Sequence, residues 1–283
     1  MTEPYKGKSK IEERTVDSKS DEAELDPESD EDFMVDENYE ADSEVPSVDS
    51  DSEETITRAD IDRVEAGLAD PDPIMRVENL LKAFEDFRIK YKNADKNLSY
   101  VKAWRKLRKY RDQVNGKEAI SGQVMGVKVG DEFTYRAATN LICLHRPFRS
   151  GIDSITEKNK EYKDRTGTPC SVAVSVLFSP TGNYYNQDNR DTILYSGQGG
   201  KTDVSGKPID QELVRGNLAL LNSHEQHLPV RVLRGQKNPR GKVTYKYLGL
   251  YDVVGPETLY NDSTGSAFYG FKLSRQEGQG DCP

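Results

Sequence analysis

The residues best suited to chemistry in this 283-residue sequence do not assemble into a catalytic pattern. Cys143-Leu144-His145 and His224-Glu225-Gln226-His227 come nearest to a metal-ligand set, but they are two loose pairs about eighty residues apart and contain no CxxC. They read as core or surface histidines. Cys143, Cys170 and Cys282 are odd in number and widely spaced, which suits reduced thiols; Cys143 and Cys170 read as core packing. Gly-Gln-Gly-Gly at 197–200 follows a strand-like run, but no phosphate-loop lysine and helix come after it, so a nucleotide site is not indicated. No carboxylate pair or Cys/His dyad has a spacing that asks for catalysis, and no cofactor is expected. The strongest chemical signal is charge: Arg88 to Arg111 hold ten bases and one acid, +9 over 24 residues. Such a run is either a solvated face or a surface for phosphates.

Two kinds of element must position these groups. Asp72-Pro73 is a helix start, and Val77, Leu80, Leu81, Phe84, Phe87 and Tyr91 recur at helical spacing after it. A turn at 93–97 leads to a second pattern, Leu98, Val101, Trp104, Leu107 and Tyr110, which Gly116 ends. The basic run thus predicts an amphipathic helical hairpin over 72–115. Beyond Gly122 the sequence turns to short β-branched and aromatic runs separated by glycines, such as CSVAVSVLF, DTILYS, PVRVLRG and VTYKYLGLYDVV. That pattern predicts a mainly β fold, a sandwich or barrel of about 150 residues.

The overall charge of −9 divides unevenly. Residues 1–60 hold 22 acids and 6 bases, so they carry −16, and the remainder carries +7. With hydrophobic content of 34% and mean hydropathy of −0.81, most of the apolar deficit lies in the acidic segment, which predicts a disordered tail over 1–60 and a body with a real core. Ser50 and Ser52, with acids just downstream, are candidate phosphoacceptors. No run of eighteen apolar residues exists and MTEPYKGKSK lacks an apolar signal core, so the expectation is an intracellular protein without membrane spans.

Several blocks in order carry a resemblance: V-x-V-G-D-E-F-x-Y-R at 127–136, H-R-P at 145–147 with G-I-D at 151–153, and I-L-Y-S-G-Q-G-G at 193–200. R-G-N-L-A-L-L-N-S at 215–223, P-V-R-V-L-R-G at 229–235 and Y-L-G-L-Y at 247–251 complete the series. Together they resemble the SET- and RING-associated domain, also called the YDG domain, in the form found in plant proteins that join it to a histone lysine methyltransferase. The resemblance implies bounds of 120–275 and a twisted barrel or sandwich with a few helices, and it leaves 276–283 as a flexible C-terminus. No pre-SET or SET sequence follows in the chain, so the resemblance implies a nuclear, non-enzymatic chromatin reader. Such a reader binds DNA and flips a 5-methylcytosine into a pocket between two aromatic rings. The alternative is a chromatin adaptor whose altered pocket no longer flips DNA and whose acidic tail meets basic partners such as histones.

Carried over residue by residue, the resemblance places the second stacking ring at Tyr195, followed by Ser196 and by Gly197, where backbone passes the base. The family pattern G-Y-D-D-D-x-D meets Gly182-Asn183-Tyr184-Tyr185-Asn186-Gln187-Asp188. Without gaps Asn183 takes the first stacking position and Asn186 the edge-reading one; shifted by one residue, Tyr184 stacks instead. An asparagine amide can satisfy cytosine, and rotated by half a turn it can satisfy thymine, so weak discrimination between the two is expected. The base-replacing loop falls on Arg146, Phe148, Arg149 and Ser150, and a second loop on Lys201 to Lys207. Arg231 and Arg234 lie on a strand where alternation sets Arg231 opposite Val230 and Val232, leaving phosphate contact or a solvated face. The Y-D-G signature is altered to Tyr247-Leu248-Gly249.

Overall fold

The computed structural model describes residues 55–92, 98–115, 121–157, 170–179, 186–199, 205–237, 242–262 and 264–280. Helical structure begins earlier than the Asp72 boundary and inside the 1–60 segment. Thr57 Oγ1 accepts the Asp60 N–H at 3.3 Å while the Asp60 carboxylate accepts the Thr57 N–H at 2.9 Å, a reciprocal capping box that opens α1 (Arg58–Leu68). Asp60 also takes Lys90 Nζ at 2.6 Å, which ties α1 to α2 (Pro73–Lys92). The Lys90 hydrogen bond holds the Asp60 carboxyl down to about 2. Residues 1–54 lie outside the described residues.

Asp72 Oδ1 accepts the Ile74 N–H at 2.9 Å and Pro73 opens α2, whose apolar stripe Val77, Leu80, Phe84, Phe87 and Tyr91 is buried. The second helical pattern is broken into α3 (Ser99–Leu107), a single 3₁₀ turn (Arg108–Tyr110) and α4 (Arg111–Asn115). None of these helices is long and apolar enough to cross a membrane. Together with α5 (Arg136–Leu141) they share one apolar core with Val124, Phe133, Leu144, Leu177, Leu233 and Tyr247. The hairpin is therefore built into the β region as a packed layer.

Eight strands form one mixed sheet: β1 (Glu132–Phe133), β2 (Ile152–Glu157), β3 (Cys170–Phe178), β4 (Gln187–Asp188), β5 (Thr192–Ser196), β6 (Val230–Lys237), β7 (Val243–Tyr260) and β8 (Ala267–Arg275). The order is β2-β3-β6-β7-β8-β5-β4, with β1 paired to β7 beside that path. All ladders are antiparallel except β3–β6. Among the described residues the sheet is not closed into a barrel, because β2 and β4 stand at opposite ends of its path. Side-chain alternation splits the sheet between two cores: Leu177, Leu233 and Tyr247 face the helical layer, while Val176, Val232 and Leu248 face α6 (Arg215–Glu225).

The altered signature has a structural meaning. Val232 pairs with Gly249 and Leu233 with Tyr247, so Leu248 is the extra residue of a β-bulge and lies fully buried. Gly249 has φ +109, and a Cβ there would meet Gln279 Oε1 at 2.5 Å, so glycine is demanded on two counts. Gln279 also accepts the Leu250 N–H at 2.6 Å, which fastens residues 276–280 to β7; the flexible C-terminus expected from 276 onward does not begin there.

Candidate nucleic-acid interface

The end of β5 gathers four of the expected pocket residues. Tyr195 is 4% exposed, in the same core as Ile152, Val176 and Phe271. Its hydroxyl lies against Gly151, where an added Cβ would come within 2.6 Å of Tyr195 Oη. Asn186 Oδ1 accepts the Ser196 N–H at 2.9 Å, and Gly197 donates its N–H to Tyr269 O at 2.7 Å. The Asn186 amide is thereby oriented, since a half-turn would set its NH₂ against another donor at about 1–3 kcal/mol. Equal treatment of cytosine and thymine, expected of a freely turning amide, loses its basis. Asn183, Tyr184 and Lys201 lie outside the described residues.

Three side-chain amides, Gln211, Asn217 and Gln198, build this corner. Gln211 Nε2 donates to Gly197 O at 2.8 Å and Gly199 O at 3.2 Å, while its Oε1 accepts the Tyr269 N–H at 3.0 Å. Asn217, in the first turn of α6, accepts the Gln198 N–H at 2.8 Å and donates to Gln198 O at 2.9 Å and Glu212 O at 2.8 Å. The third, Gln198, reaches Ser150 at 2.6 Å. The G-Q-G-G and R-G-N blocks hold Gln198 and Asn217, but nothing in either block says that one grips the other, and Gln211 lies in neither. Gly197 is where they crowd most: a Cβ there would meet Gln211 Oε1 at 2.6 Å and Asn217 Oδ1 at 2.8 Å. Gly197→Ala is expected to lose about 1–3 kcal/mol of stability by thermal denaturation, because both amides are committed and neither can yield cheaply.

The loop from His145 to Gly151 faces this corner and is braced from the helical side. Trp104 Nε1 donates to Asn140 Oδ1 at 2.7 Å, Asn140 Nδ2 donates to Arg146 O at 2.5 Å, and Trp104 meets Phe148 edge to face at 5.0 Å. Arg136 donates to Phe148 O at 2.6 Å. His145 is fully buried; Ser150 O can only accept, so His145 Nε2 carries the proton and donates to it at 3.0 Å, leaving Nδ1 to accept from Ser175 Oγ at 2.9 Å. Arg149 stands exposed at the tip.

The expected phosphate contacts divide. Arg231 is 1% exposed and donates to Leu144 O at 3.0 Å and Gly122 O at 2.7 Å, so both readings offered for it, phosphate contact and solvated face, are wrong. Alternation does set it apart from Val230 and Val232, but the face it enters is covered by the segment that carries Gly122 and Leu144. Arg146 is bound through Nη2 to the buried Asp153 at 2.6 Å, and Arg234 to Asp188 at 2.8 Å. Both are half-buried and serve the fold. Lys207, like Arg149, is exposed. In the basic hairpin Arg88 pairs with Glu85, Lys90 with Asp60, and Arg108 lies over the Trp104 ring, while Lys106 and Arg108 are exposed.

With this geometry in place, comparison with known proteins is specific. The SAD/SRA domain model matches residues 120–279. The chain is 42% identical over 173 residues to the Arabidopsis thaliana H3 lysine-9 specific histone-lysine N-methyltransferase SUVH5, covering 58% of this chain and 20% of that one. It therefore spans about a fifth of that relative's length. A YDG domain-containing protein of Arabidopsis thaliana is 33% identical over 234 residues, covering 77% of this chain and 67% of its own. Among solved structures, KRYPTONITE in complex with mCHG DNA and SAH superposes with a TM-score of 0.61 at 31% identity, covering 74% of this chain and 45% of that one.

Proposed function

Because the chain belongs to the SAD/SRA domain family, we propose that it is a nuclear, non-enzymatic reader of methylated cytosine, which it holds as a flipped base against Tyr195. The observation that carries this reading is the convergence at one end of β5. Tyr195, Ser196 and Gly197 follow one another at the end of β5, Asn186 is hydrogen-bonded to the Ser196 N–H, and the Arg149 loop meets this corner where Gly151 lies against the Tyr195 hydroxyl. Flipping costs a few kcal/mol, to be offset by stacking, by edge hydrogen bonds and by phosphate contacts. Tyr195 supplies the stacking face, the fixed Asn186 amide the edge contact, and Arg149, Lys207 and the exposed bases of the hairpin the phosphate contacts. The buried Arg231 takes no part. SUVH5 and KRYPTONITE support the reading as relatives, the second having been crystallised with methylated DNA.

Matched unmethylated, hemimethylated and fully methylated duplexes, titrated at two salt concentrations, test it. Binding should improve with methylation and weaken with salt. Tyr195→Ala also removes a core aromatic, so the variant is compared where circular dichroism shows it folded; there it should cost about 1–3 kcal/mol on the methylated duplex, the worth of one base stack, and less on the unmethylated one. Equal affinity for all three duplexes would refute the reading.

A further inference from the structure

Gln198 bridges the pocket corner and the Arg149 loop. Its backbone is pinned on both sides by Asn217, so its side chain leaves from a fixed point. With the amide oxygen turned toward the loop, that oxygen lies 2.6 Å from Ser150 Oγ, 3.0 Å from Gly151 N and 3.1 Å from Ile152 N. The Gly151 and Ile152 N–H groups both point at this one acceptor, and the Ser150 hydroxyl, which has a single proton and also lies 2.8 Å from Ile152 O, borders it. The opposite orientation would aim an NH₂ at two backbone N–H groups, so the oxygen-inward state is the one the chemistry selects. The Tyr195 hydroxyl crowds the same glycine, within 2.6 Å of where a Cβ would stand. Two side chains three residues apart in the pocket segment therefore grip the loop at Gly151.

We infer that Gln198 is a positioning residue that couples the base pocket to the DNA-facing loop, so that the loop bearing Arg149 is held where a base lodged beside Tyr195 requires it. The inference rests on the methylated-DNA reading of the site. A rigid loop enters the complex without losing its own conformational freedom, and releasing it returns that entropy cost to binding.

The test uses the full chain. Gln198→Met keeps length and bulk but removes the acceptor, whereas Gln198→Glu retains acceptor oxygens. In the Met variant the Gly151 amide should exchange with solvent about tenfold faster, the worth of one net hydrogen bond. Exchange in β7 and β8 should be unchanged, and the Glu variant should restore protection at Gly151. Affinity for the methylated duplex should fall about tenfold in the Met variant, and the methylated-to-unmethylated preference should shrink with it. A Gly151 amide that exchanges at the wild-type rate in Gln198→Met would overturn the inference, and so would faster exchange with an unchanged preference. A wild-type chain blind to methylation would instead refute the proposed function, and the Gly151 result would still decide whether the grip exists. Should Gln198→Met not fold, Ser150→Ala removes one donor from the loop side and should speed Gly151 exchange by about threefold; no change would count equally against the inference.

Discussion

Arg231→Ala is expected to lower folding stability by about 3 kcal/mol or more, a far larger effect than any exposed arginine should have. The guanidinium is buried between β6 and the segment that crosses it, and it donates to Leu144 O and Gly122 O. Truncation leaves two carbonyls without these donors, at about 1–3 kcal/mol each, and opens a cavity as well. Burial disfavours its charge, but Asp153 nearby supports it, and Asp153 is in turn bound by Arg146. Arg231→Lys should recover only part of the loss, because one ammonium cannot reproduce the planar fork that reaches two separate carbonyls. Arg149→Ala, at the exposed loop tip, should stay within about 0.5 kcal/mol of wild type in stability and act on DNA affinity instead. Urea denaturation of the three variants separates these expectations. An Arg231→Ala loss below about 1 kcal/mol would mean that the arginine is not a structural strut.

A second large effect is expected on acidification. Burial, only partly opposed by the Asp153 carboxylate, holds the His145 imidazole down to about 4, with Arg136 and Arg231 pushing the same way as burial. An unfolded chain takes up that proton near the ordinary value of 6.5. The folded state therefore binds fewer protons between these values, and its stability is intact above about 6.5 and falls as the pH drops toward 4. At about 1.4 kcal/mol per pH unit, the full span is worth about 3 kcal/mol. The carboxylates of Asp153 and Asp60 are shifted downward from 3.8, so their contributions are lost at lower pH, below this window. Protonation would also force Nδ1 to donate where it now accepts from Ser175, which loosens the start of the Arg149 loop. Denaturant midpoints between pH 7 and 4 test this. Wild type should lose stability across the interval, and His145→Gln, whatever its absolute stability, should show that component missing. Parallel profiles would contradict the assignment.

Much of the fold was legible because local pattern and tertiary burial agree. The stripe Val77, Leu80, Phe84, Phe87 and Tyr91 is the buried face of α2, and the glycine-punctuated β-branched runs are strands. Three features were not legible, each for a physical reason. The Thr57–Asp60 capping box sits in an acidic stretch whose average composition conceals it, so α1 falls partly in the 1–60 segment and wholly before the expected start at Asp72. Closure of a sheet depends on whether its edge strands meet, and no alternation pattern encodes that; β2 and β4 do not meet. The alternation around Arg231 says which face the side chain takes but not what lies over that face, because its cover comes from Gly122 and Leu144, roughly a hundred residues away in sequence. Of the candidate site, the sequence blocks mark Tyr195 to Gly197. Its amide frame was not, since Gln198, Gln211 and Asn217 acquire their roles only when β5 and α6 are brought together.

On the proposed reading a methylated cytosine leaves the duplex and enters the corner at the end of β5. A fluorescent adenine analogue, 2-aminopurine, placed beside a single 5-methylcytosine reports unstacking directly. Saturating protein should raise its fluorescence on the methylated duplex and leave it unchanged on the matched unmethylated one, and Tyr195→Ala should suppress the rise. Tight binding with no fluorescence change on the methylated duplex, or an equal rise on both, would rule out base flipping into this corner.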